Sequence, residues 1–107
     1  MNTQQLVARL TALGGPHRLN ILALLNTEGR LHVSEIARRM GMSRALLYMH
    51  LTKLEEAGFV SGQLELAPDG KSMKYFEIRP FEIVINADYV SQVVANSAEE
   101  PETPTPA

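Results

Sequence analysis

The sequence predicts a mostly α-helical chain that carries one β-hairpin late in its length. Three observations lead there. Leucines recur at i, i+4 and i+7 over 3–13 and again over 44–57, the spacing of one helix face. Glycines close the helical stretches at Gly14-Gly15, Gly29, Gly41 and Gly58. Beyond Gly58 the pattern changes to runs of β-formers, 59–66 and 72–78, around the turn signal Pro68-Asp69-Gly70.

Each element follows from its residues. In the first helix Leu6, Leu10 and Leu13 share a face, with Val7 beside them. Pro16 suits the first position of a second helix, where its missing N–H costs nothing. That helix is expected to run to about residue 26. Leu19, Ile21, Leu22, Leu24 and Leu25 wrap most of its circumference, which predicts a central, buried element. Ser34 is the expected N-cap of a short helix over 35–40, with Glu35 favourable at the positive end of its dipole. Ser43 caps the next helix, 44–57, which buries Leu47, Leu51 and Leu54. Pro80 ends the second strand of the hairpin, and 81–85 reads either as a short extended segment or as irregular packing. Asn86 can cap a last helix, 87–96, whose apolar stripe is Tyr89, Val90, Val93 and Val94.

Composition sets the bounds. At 107 residues the chain fits one domain. It contains no cysteine, which excludes disulfides, thiolate metal sites and cysteine nucleophiles. The longest apolar run, from Ile21 to Leu25, is five residues, far short of the roughly 18 that span a bilayer. The first residues lack the pattern of a signal peptide, so a cytoplasmic location is expected. The net charge of −2 is unevenly placed. Residues 1–80 hold 10 basic and 7 acidic side chains, whereas 81–107 hold 5 acidic and no basic ones. The division expected is a mildly basic folded unit, 1–96, and a disordered Pro/Glu/Thr-rich tail, 97–107.

The informative stretch is VSEIARRMGMSRALLYMHLTKLEEAGFV, residues 33–60. Two short helices joined through Gly41-Met42-Ser43 make a helix-turn-helix. With Leu47, Leu51 and Leu54 anchored, Ser43, Arg44, Ala45, Tyr48, Met49 and Thr52 point broadly outward near the N-terminus of the second helix, the end that meets base edges. Arg44 is the expected base reader, since a guanidinium matches guanine O6 and N7. Arg38 and Arg39 are expected phosphate anchors, and Lys53 adds charge. Met49 either packs or touches a thymine methyl, Tyr48 offers its hydroxyl, and His50 is placed to reach a phosphate. Lys71 and Lys74 in the hairpin are candidates for backbone contact, although hairpin lysines also protect edge strands. His17 is expected to hydrogen-bond structurally and His32 to lie at the surface. No nucleophile–base set, phosphate loop or HExxH motif is present, so neither an enzyme nor a cofactor is expected.

The order of elements, with PHRLNILALL in the second helix and MHLTKLEEAGFV in the recognition helix, resembles the winged-helix ArsR/SmtB family over about residues 5–78. The resemblance implies a winged helix-turn-helix fold dimerised through its N- and C-terminal helices. It implies a repressor that reads a palindromic operator in double-stranded DNA with helix 44–57 and wing 59–78. The homodimer interface would be Leu6, Leu10, Leu13, Tyr89, Val90, Val93 and Val94. Metal-sensing members of the family use cysteines near the helix-turn-helix or His, Asp and Glu ligands in the last helix. This chain has no cysteine, and its last helix has Asp88 but no histidine, so it resembles the cysteine-free members and no metal site is expected. Two other readings remain open at this point: a winged helix used as a protein-interaction module, and a regulator whose small-molecule or protein effector sits at the dimer interface.

Overall fold

The computed structural model describes residues 1–99. Five helices surround one small sheet, in the order α1 (Thr3–Leu13), α2 (Pro16–Glu28), β1 (Leu31–His32), α3 (Val33–Met40), α4 (Arg44–Glu56), β2 (Val60–Leu66), β3 (Ser72–Ile78) and α5 (Ala87–Glu99). The sheet is antiparallel with strand order β1-β3-β2. This is the winged helix-turn-helix architecture, with β2 and β3 as the wing.

The core grows from the leucine face of α4. Leu47, Leu51 and Leu54 are fully buried, packed with Ile21 and Leu25 of α2, Ile36 of α3, and Phe59, Val60 and Phe76 of the wing root. Gly62 shows how tightly the wing closes on this core. A Cβ at that position would stand 2.7 Å from Cε1 of Phe76 and 2.9 Å from Cε of Lys74. Only glycine lets the Phe76 ring cover the sheet there.

Several local expectations change. The hairpin is joined by a third strand, β1, in which Leu31 pairs with Phe76 and His32 with Tyr75. α3 starts at Val33, and its cap is His32, not Ser34: the Glu35 N–H donates to Nδ1 of His32 at 3.3 Å. His32 is therefore half-buried, with its ring edge-on to Tyr75 at 5.9 Å, where the sequence suggested a surface residue. α2 runs two residues beyond 26, to Glu28. α5 runs to Glu99, and Ser97, assigned from sequence to the tail, donates from Oγ to Oγ1 of Thr3 at 2.7 Å. The rest of the expected tail, 100–107, lies outside the described residues. Residues 79–86 form no regular element, which resolves the ambiguity of 81–85 toward irregular packing. As expected, the Asn86 side chain accepts from the N–H of Tyr89 at 2.8 Å and caps α5.

Among the described residues no helix is long and apolar enough to cross a membrane.

Candidate nucleic-acid interface

The turn between α3 and α4 is built by backbone. Gly41 adopts φ 64°, ψ 35°, the left-handed conformation that side chains disfavour, and closes α3. The N–H of Met42 then donates to the carbonyl of Ala37 at 3.2 Å. Two residues later Ser43 accepts from the N–H of Leu46 at 3.1 Å and starts α4. The tight turn holds the α4 N-terminus clear of α3, so its first turn is open to solvent.

The outer face of α4 carries the residues expected of it. Ser43, Arg44, Ala45, Tyr48, Met49, Thr52 and Lys53 are all exposed. Met49 is 66 % exposed, so it projects outward instead of packing within the chain. Arg44 also lines a small cleft of about 40 Å³ with Ser34, His32, Ser72 and Lys74, where the α4 N-terminus meets the first residues of β3. Lys74 belongs to this cleft while its ammonium lies 5.3 Å from the Phe76 ring centre. Lys71 is exposed at the hairpin turn, its N–H held by the Asp69 carboxylate at 3.0 Å.

The cations of the motif fall into two groups. Arg38 and Arg39 both bind Glu35, at 2.5 and 2.8 Å, and Arg39 also reaches Glu28 at the end of α2, at 3.2 Å. Hydrogen bonds from Arg38 and then Arg39 lower the Glu35 carboxyl from 4.5 to about 2. Two guanidinium groups are thus matched by two carboxylates inside the chain, and a phosphate would have to displace them. Among the described residues Arg44, Lys53, Lys71 and Lys74 are in no ion pair. The charge free to meet DNA lies on α4 and the wing instead of on α3.

His50 turns toward α2 instead of standing with Met49. It is half-buried, with Nδ1 3.3 Å from a guanidinium nitrogen of Arg18 and its ring 5.4 Å from that of His17. Burial first, then the charge of Arg18, lowers its pKa from 6.5. His17 itself is exposed. Arg18 is the residue that sequence reasoning missed. It joins Ala45, Tyr48, Met49, Thr52 and Lys53 around an open recess of about 440 Å³ beside the recognition face. The available signal was a lone long cation in the first turn of α2, the only Lys or Arg of that helix.

The residues expected at a dimer interface divide. Leu6 and Val93 are buried within the chain, between α1 and α5, and Leu13 is half-buried against the core. Val7, Leu10, Val90 and Val94 remain exposed on the same two helices, and Tyr89 is half-buried with its hydroxyl 3.4 Å from Sδ of Met1. Among the described residues no group of three or more His, Cys, Asp or Glu side chains is arranged to hold a metal.

Comparison with known proteins adds to this geometry. Residues 15–61 match the family described as bacterial regulatory protein, arsR family. An uncharacterized HTH-type transcriptional regulator of Methanocaldococcus jannaschii is 29 % identical over 85 residues, covering 79 % of this chain and 87 % of that protein. A possible transcriptional regulatory protein from Mycobacterium bovis superposes with a TM-score of 0.62 at 25 % identity, covering 89 % of this chain and 88 % of the other. HlyU from Vibrio cholerae shares the fold, with a TM-score of 0.60 at 23 % identity over 90 % of this chain and 87 % of its own.

Proposed function

We propose that this chain is a transcriptional regulator of the arsR family and acts as a homodimeric repressor that reads double-stranded DNA with α4 and the β2–β3 wing. The observation that carries the reading is the sorting of cations. Arg44, Lys53, Lys71 and Lys74 are exposed or half-exposed and unpaired among the described residues, around a capped and open helix N-terminus. Arg44 would meet a base edge, while Lys71 and Lys74 would meet the backbone beside it. A two-fold axis through the exposed stripe of α1 and α5 would place two α4 helices in successive major grooves, about 34 Å apart, on a palindromic site. Repression would follow from occupying a promoter.

Selection of bound sequences from a random DNA pool tests both parts. The expected result is an inverted repeat whose affinity falls steeply with salt, because phosphate contacts release counterions. Arg44→Ala should cost roughly 1–3 kcal/mol, about 5- to 150-fold, on the selected site, with relaxed preference at one base of each half-site. A protein that enriches no sequence and shows no anisotropy change with DNA at low salt does not act in this way.

A further inference from the structure

Arg9 has no role in the DNA-reading surface, and its surroundings are unusual. It projects from α1 toward the 79–86 connector. Its guanidinium carbon lies 5.1 Å from the centre of the buried Phe59 ring. Its Nε is shielded from solvent with no hydrogen-bond partner among the described residues. A buried N–H without an acceptor carries its own desolvation cost, and the contact with the Phe59 ring supplies no hydrogen bond to offset it. The same arginine lines a recess of about 290 Å³ with Met1, Leu6, Glu82, Ile83 and Tyr89. That volume is close to the lower end, roughly 300 Å³, of small-molecule sites. Its lining has the usual composition of such a site: apolar walls and a few polar groups that fix one end of the ligand.

We infer that this recess binds a small organic monocarboxylate, with the carboxylate against Arg9 and the apolar body against Leu6, Ile83 and Met1. Arginine favours this ligand because its planar N–H groups match two carboxylate oxygens. Tyr89 offers a second donor, since its hydroxyl is engaged only by the weak acceptor Sδ of Met1 at 3.4 Å. Glu82, exposed at the rim, opposes a second negative charge and keeps the affinity moderate. The position is suited to regulation. Phe59, under Arg9, donates its N–H to the Leu54 carbonyl at 2.9 Å at the end of α4, and its ring meets Phe81 of the connector at 4.6 Å. A ligand that draws the guanidinium off Phe59 therefore acts on the junction of α4, wing and connector. This last step rests on the DNA-binding function proposed above, while ligand binding itself does not.

Titration calorimetry on the full chain, without DNA, separates the two. The probes are hexanoate, benzoate and phenylacetate, each beside its neutral amide. At least one acid should bind, about tenfold or more tighter than its amide, as expected for a charge-assisted pair. Arg9→Gln should abolish that binding. Glu82→Gln, at an exposed rim position, should leave the fold intact and tighten it. If no acid binds, if acid and amide bind alike, or if Glu82→Gln leaves the affinity unchanged, the site is not a carboxylate site. Binding without any change in DNA affinity would retain the site and remove its regulatory role.

Discussion

Replacing Val90 and Val94 together by glutamate should convert the proposed dimer into a monomer while leaving the protomer folded. The two valines lie at i, i+4 on α5 and are 43 % and 53 % exposed in the single chain. Full burial of such a side chain gains about 1.5–3 kcal/mol, so the half still facing water can return about 0.7–1.5 kcal/mol on association. Two valines on each of two protomers then contribute about 3–6 kcal/mol, equivalent to roughly 10²- to 10⁴-fold in dissociation constant. Four carboxylates facing one another add repulsion in the same direction. Folding should survive, because the residues that hold α5 to α1 within the chain are others. Val93 is 2 % exposed, Leu6 is 7 % exposed, and Oγ of Ser97 accepts from the Thr3 N–H at 2.6 Å. Sedimentation equilibrium across the micromolar range reads the mass, and circular dichroism reads the fold. A variant that sediments as the parent does would show that this stripe is not the interface. A variant that unfolds would show that the stripe belongs to the core.

Three further outcomes follow from single sites. Gly62→Ala forces a methyl into the Phe76 ring and should cost about 1–3 kcal/mol, read as a lower urea midpoint; an unchanged midpoint would mean that the ring moves freely. Glu35 has a folded pKa of about 2 against an ordinary 4.5, so its stabilising effect is complete above 4.5 and is lost as the pH falls toward 2; Glu35→Gln should flatten that part of the acid-unfolding curve, and an unaltered curve would remove the Arg38–Glu35–Arg39 cluster from the account. His50 has a folded pKa below its ordinary 6.5, so the unfolded chain binds the extra proton first and stability declines as the pH falls below 6.5; in His50→Gln the urea midpoint should change less between pH 7.5 and 5.5 than in the parent, and equal slopes would contradict this assignment.

Most elements were legible because they rest on local rules. The leucine spacing in α1 and α4, the glycines at helix ends and the Pro-Asp-Gly turn each act within a few residues. What escaped was decided at longer range. β1 is two residues with no pattern of its own, and it exists because β3 presents a free edge to Leu31 and His32. Ser34 was the chemically favoured cap, yet pairing with Tyr75 places His32 where its Nδ1 meets the Glu35 N–H. Leu6 and Val93 illustrate a different limit. Periodicity finds an apolar stripe but not its partner, so residues consumed between α1 and α5 looked the same as those left exposed. The pairing of Arg38 and Arg39 with Glu35 is of another kind. They stand at i+3 and i+4 from Glu35, the spacing at which opposite charges pair on a helix, so their neutralisation was visible in the chain.

That pairing changes what the overall charge means. Residues 1–80 contain ten cations, but Arg30, Arg38 and Arg39 are each bound to a carboxylate within the chain. Arg9 lies on a ring and Arg18 beside His50. Of the cations in no ion pair among the described residues, Arg44 and Lys53 stand exposed on the first three turns of α4 and Lys71 at the wing turn, with Lys74 half-exposed over the Phe76 ring and Arg79 just beyond β3. A mildly basic fold with uniformly spread charge would bind DNA weakly and without orientation. Here the same small excess is gathered where a capped helix end and a hairpin project together, so on the proposed DNA site it would set register as well as affinity. The net value of −2 is therefore no argument against nucleic acid, because Coulomb attraction to a phosphate acts within about a Debye length of 8–10 Å and responds to the face presented, not to the chain's sum.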